Sequence, residues 1–184
     1  PSGMAYTEAV ALETGALKMA QTTALAGFEG DGDNAKYTLR VQRIGSDGTS
    51  QTNESFKINS TGGDVNYIKD KHKFQAGNFH AIDKGDFNND GTETVVVAYM
   101  NKSGGKMRIT VKELDITSGV KTLGSTTVWE RADSKKDADQ LSVDIAVGDF
   151  NRDTYDDLAV LCYRGSDGTY GEAPTLYVYS GSKD

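Results

Sequence analysis

Two short stretches of this chain carry oxygen donors on alternate residues. Asp86, Asn88 and Asp90 stand in Gly85-Asp86-Phe87-Asn88-Asn89-Asp90-Gly91, and Asp149, Asn151 and Asp153 in Gly148-Asp149-Phe150-Asn151-Arg152-Asp153-Thr154. Alternate side chains of a tight acidic loop can all turn inward onto one hard cation, with a backbone carbonyl two residues further on. That is the chemistry of a calcium site. The earlier stretch offers Asp86, Asn88, Asp90, the carbonyl of Thr92 and the ninth residue Thr94. The later one offers Asp149, Asn151, Asp153, the carbonyl of Tyr155 and the side chain of Asp157. Magnesium suits such a set less well, because it keeps its waters and avoids dense protein cages. Gly91 supplies a sharp turn that a residue with a Cβ resists, whereas Thr154 holds the same place in the later stretch with a β-branch.

An EF-hand needs a bidentate Glu at the twelfth loop position and a helix after it. Counted from Asp86 the twelfth residue is Val97, and from Asp149 it is Val160. Both fall in short apolar runs, Val95-Val96-Val97-Ala98-Tyr99-Met100 and Leu158-Ala159-Val160-Leu161-Cys162-Tyr163, whose β-branched and aromatic content reads as buried strand. The donors therefore sit in loops that join strands.

The elements around the two stretches recur with them. The offset from Asp86 to Asp149 is 63 residues. Each apolar run leads through a Gly/Ser loop into another strand, Met107-Arg108-Ile109-Thr110-Val111 and Thr175-Leu176-Tyr177-Val178-Tyr179, and Trp129 marks an outer strand closing the middle unit. A worn third copy is expected upstream. One register aligns Phe28 with Phe87, and a competing one puts Glu29, Asp31 and Asp33 at the acidic positions; both place a strand over Tyr37–Val41. Residues 7–20 favour strand, and 60–66 and 132–139 read as polar connections.

Gly-Asp-Phe-Asn-x-Asp before a buried strand resembles the FG-GAP repeat of integrin α-subunit propellers and of many bacterial secreted proteins. The likeness covers residues 80–112 and 143–180 and is weak over 22–44. It implies an all-β fold of four-stranded antiparallel β-propeller blades, about three in this length, over approximate spans 17–65, 76–131 and 140–184 of a single domain. It implies Ca2+ in the loops, held at the first, third, fifth, seventh and ninth positions: Asp86, Asn88, Asp90, Thr92 and Thr94, then Asp149, Asn151, Asp153, Tyr155 and Asp157. Thr94 departs from the family's Asp, which ranks the later loop as the stronger site, because carboxylate count tunes affinity. The resemblance also implies an extracellular or cell-surface, non-catalytic module that binds a protein or glycan ligand. Propellers close with 4–8 blades, so three blades imply self-association or the remainder of a ring.

Composition narrows the alternatives. The 184 residues carry a net charge of −7, which disfavours nucleic acid and anionic membrane surfaces as partners. No apolar run approaches the ~20 residues of a membrane span, so no membrane insertion is expected. One cysteine, Cys162, leaves no internal disulfide and reads as a buried small hydrophobe. His72 reads as part of a solvated charged loop and His80 as a packing residue or one facing a pore, while Phe87 and Phe150 read as core anchors between blades. Nucleophile-elbow, P-loop and zinc-protease signatures are absent from the sequence. A propeller-type hydrolase or lyase would have Glu113, Asp115 and Glu172 at its disposal, with nothing in their spacing to select them; a structural spacer is the third alternative.

Overall fold

Val95, Val96, Val97, Ala98 and Tyr99 are consecutive and all buried, so protein covers both faces of the strand that holds them. In the computed structural model the described residues are 4–14, 20–29, 38–44, 50–57, 80–103, 106–117, 121–132, 141–164 and 173–183. They are all strand and connection, with no helix among them. The described residues form three antiparallel sheets in sequence order. The first is β1 (Met4–Thr14), β2 (Ala20–Glu29), β3 (Thr38–Ile44) and β4 (Ser50–Lys57). The second is β5 (His80–Gly85), β6 (Thr94–Ser103), β7 (Lys106–Asp115) and β8 (Lys121–Ala132). The third is β9 (Leu141–Gly148), β10 (Asp157–Arg164) and β11 (Thr175–Tyr179). Each strand pairs with its neighbours in the sequence, so every sheet is a simple meander.

Register repeats with the sequence. Gly85 pairs with Thr94 and Ala81 with Ala98 across β5 and β6, and Gly148 pairs with Asp157 and Asp144 with Leu161 across β9 and β10. Each pair of the third sheet lies 63 residues beyond its counterpart. The sheets stack in one sense: β5 lies against β1 and β2, and β9 lies against β5 and β6. A shared core fills the space between the second and third sheets, including Val96, Val111, Val143, Leu158, Val160 and Cys162. Burial pushes the Tyr99 phenol up to about 12 and the Cys162 thiol up to about 11.

Several expectations are refined. The first sheet begins at Met4, well before the expected start at 17, and Phe28 lies within β2, paired to Ala5 and Leu39, rather than opening a loop after a first strand. Glu29 of the competing register ends β2, while the β1–β2 connection and residues 30–37, with Asp31 and Asp33, lie outside the described residues. So do residues 60–66, 133–139, His72 and Glu172. The third sheet has three strands among the described residues where four were expected. Trp129 does lie in the outer strand of the second sheet, β8.

Candidate metal centre

Both acidic loops join the first and second strands of a sheet, residues 86–93 between β5 and β6 and 149–156 between β9 and β10. Each closes on itself through the same five hydrogen bonds. The Asp90 N–H donates to Asp86 Oδ1 at 3.0 Å and to Asn88 Oδ1 at 3.2 Å; the Asp153 N–H donates to Asp149 Oδ1 at 3.0 Å and to Asn151 Oδ1 at 2.8 Å. Gly91 N–H reaches Asp86 Oδ2 at 2.8 Å, as Thr154 N–H reaches Asp149 Oδ2 at 3.0 Å. Thr92 N–H donates to Asp90 Oδ1 and Tyr155 N–H to Asp153 Oδ1, at 2.8 and 2.9 Å. Asn88 Nδ2 donates to Asp90 Oδ2 and Asn151 Nδ2 to Asp153 Oδ2, at 3.0 and 2.9 Å.

One backbone N–H thus gathers the oxygens of positions one and three, and the position-three amide touches the position-five carboxylate. The side chains at positions one, three and five converge in both loops. The Asn88 amide, and then the Thr92 N–H, hold the Asp90 carboxyl below its ordinary 3.8. The chain turns tightly enough to enter the left-handed region twice per loop, at Asn89 (φ 53°) and Gly91 (85°), then at Arg152 (67°) and Thr154 (79°).

The ninth positions diverge. Asp157 is 1% exposed, its Oδ2 accepting the Phe150 N–H at 3.0 Å and its Oδ1 the Gly181 N–H at 3.1 Å. Thr94 instead donates from Oγ1 to Glu113 Oε1 at 2.9 Å, which brings a carboxylate from β7 beside the earlier loop. Glu93 is not turned into the loop, since it pairs with Lys84 at 2.9 Å.

Contacts between the loops tie the second and third sheets together. Asp156 Oδ2 accepts the Asp86 N–H at 2.8 Å, and the Asp156 N–H donates to the Asp86 carbonyl at 3.2 Å. Asn89 Nδ2 donates to Thr154 Oγ1 at 3.0 Å. One strand earlier, Asp83 Oδ2 accepts the Val147 N–H at 3.0 Å. Nothing in the local motif points to Asp83, Asp156 or Glu113; only strand order brings them here.

The donors are hard oxygens throughout, as calcium requires. Each Asp86 and Asp149 oxygen accepts one N–H, which leaves a further lone pair on each. The donors that converge, Asp86, Asn88 and Asp90 and then Asp149, Asn151 and Asp153, are of the kind a hard divalent cation takes, and Asp157 adds a carboxylate at the ninth place of the later loop. Among the described residues no three His, Cys, Asp or Glu side chains cluster as a metal site.

The two phenylalanines behave differently. Phe87 packs against the core as expected, but Phe150 is 52% exposed, because no sheet follows the third among the described residues. His80 is buried at 1% exposure. Beside the earlier loop a cavity of about 720 Å³ opens between the second and third sheets, lined by Asp90, Thr94, Glu113, Asp115, Leu123 and Tyr179 among others. Comparison with family models, with curated proteins and with solved structures returns no match for this chain.

Proposed function

We propose that this chain is a calcium-stabilised, non-catalytic β-propeller module of a secreted or cell-surface protein, which binds a protein or glycan ligand. The observation that carries the reading is the five-bond network that recurs in both loops and draws three donor side chains together. Asp86, Asn88, Asp90, the Thr92 carbonyl and Thr94 would hold one ion, and Asp149, Asn151, Asp153, the Tyr155 carbonyl and Asp157 the other. The ion would supply positive charge against which the converging carboxylates are no longer mutually repulsive. The reciprocal Asp86–Asp156 contacts pass that order from one sheet to the next, so ion binding supports sheet packing.

A binding role draws support from the open cavity between the second and third sheets, whose lining mixes apolar side chains such as Val96, Val111 and Leu158 with hydroxyls and carboxylates. Catalysis draws less. Two Thr117 donors, the backbone N–H and then the hydroxyl, hold the Asp115 carboxyl below its ordinary value, the reverse of what a general acid needs.

The test is thermal unfolding with and without calcium. A site with Kd ~10⁻⁴ M in ~1 mM calcium adds roughly 1.4 kcal/mol. That corresponds to a rise of about 3–6 °C in a domain of this size. Asp149→Ala is expected to abolish the response of the later loop and to leave the weaker response of the earlier one. A melt that does not move between chelator and millimolar calcium would refute the metal assignment.

A further inference from the structure

Toward the third sheet, β6 turns Val96 and Ala98, 3% and 0% exposed, and β7 turns Val111, 7% exposed. The positions 63 residues beyond Val96 and Ala98 are Ala159 and Leu161, and Leu161 pairs with Leu176 of β11 as Ala98 pairs with Val111 of β7. Here the same surface is bare. Leu161, Leu176 and Val178 are 39%, 60% and 55% exposed, and Phe150, the counterpart of Phe87, which packs against the core, is 52% exposed.

The glycines make the same point. A Cβ on Gly85 would lie 2.5 Å from Val147 Cγ1, so this position must lack a side chain for the third sheet to come close. Gly148 occupies the equivalent place in the third sheet, yet a Cβ there would meet only its own loop's Phe150, at 3.5 Å. The close-approach position is present without an approaching sheet among the described residues. One contact is not repeated: Ala146 replaces Asp83, whose carboxylate receives the Val147 N–H.

Within the chain each sheet lays its first strand on the first two strands of the sheet before it, β5 on β1 and β2, then β9 on β5 and β6. Such head-to-tail packing repeats until it closes as a ring or runs on as a filament. The third sheet offers a receiving face, and among the described residues the first sheet packs chiefly against β5 of the second. We propose that Phe150, Leu161, Leu176 and Val178 form a docking face for the first sheet of a second copy of this chain. The interface continues the packing already made twice within one chain, and two copies contribute six sheets, inside the 4–8 range of closed propellers. The proposal rests on the propeller reading above.

Light scattering coupled to size exclusion, in ~0.15 M salt so that the charge of −7 on each chain is screened beyond about 8 Å, tests it. The expected mass is twice the 19.8 kDa of one chain. The double change Leu176→Lys, Val178→Lys and the separate change Leu161→Lys should each return the single-chain mass. Both replace side chains already exposed in one chain, and a retained strand spectrum and cooperative melt will verify folding. Leu123→Lys, also at an exposed residue but on β8 of the second sheet, should leave the doubled mass unchanged. A single-chain mass for the unaltered protein, an open ladder of sizes, or a doubled mass that survives the lysine changes overturns the proposal. Calcium melts on the same samples separate the two readings: a single-chain species with an intact calcium response removes the docking face alone.

Discussion

Thr154 takes φ of 79°, a conformation its β-branch resists, in the place where the earlier loop has Gly91 at 85°. Strain of this kind costs about 1–3 kcal/mol and persists where surrounding contacts fix it, here the Thr154 N–H to Asp149 and the Asn89 amide to Thr154 Oγ1. Thr154→Gly relieves this strain but adds unfolded-state entropy and gives up the Asn89 bond, so it should raise stability by no more than about 1 kcal/mol. Gly91→Ala should lower it by a similar amount, purely through the backbone, because a Cβ there meets nothing within 4 Å. Urea titration of the two variants checks both signs. The carboxylates add a pH dependence. Asp90 and Asp115 are both held below 3.8 by donors in their own turns, so their charged forms are favoured by folding. That contribution is complete above the unfolded pKa, near pH 4, and is lost as pH falls through the depressed folded values. Melting temperature should be flat toward neutrality and fall in acid below about pH 4, with a smaller acid loss in Asp90→Asn, as melts across a pH series would reveal.

At the scale of the strand and sheet, the joints rather than the strands set the constraints. A Cβ on Gly181 would fall onto the carbonyl oxygens of Asp156 and Phe87, the latter at 2.6 Å, and backbone atoms cannot step aside. A Cβ on Gly85 would meet Val147 Cγ1 and the Asp156 side chain, which can partly yield. Gly124 has only Glu113 Oε2, at 3.9 Å. Alanine substitutions should therefore rank Gly181 as most costly, Gly85 next at about 1–3 kcal/mol, and Gly124 within about 0.5 kcal/mol of neutral. Chemical denaturation of the three variants tests the order. The apolar runs after each acidic loop were legible as strands because each is short, continuous and bounded by turn residues, with Val95, Val96, Val97 and Tyr99 in one and Val160 and Tyr163 in the other. Residues 7–20 also read as strand, which β1 bears out over 7–14, but the start of the sheet at Met4 was not marked by any local pattern.

Across the whole molecule, one core joins the second and third sheets, so Cys162 at 5% exposure is reached only when that packing opens. With its thiol raised to about 11 it should stay unlabelled by a thiol reagent under native conditions and react at the rate of global unfolding, a difference that labelling with and without denaturant measures. The sequence by itself determined the two acidic loops and the strands beside them, because the bonds that shape each loop span five residues or fewer. What the ninth residues Thr94 and Asp157 bond to, and the arrival of Asp83, Glu113 and Asp156, depended on how distant strands pair. Asp86 meets Asp156 across 70 residues, a distance that no local pattern encodes and that strand register alone closes. Phe87 and Phe150 sit in nearly identical local sequence, yet one is partly buried against the core and the other is half exposed. Burial belongs to the neighbouring sheet, and only the folded chain supplies or withholds that neighbour.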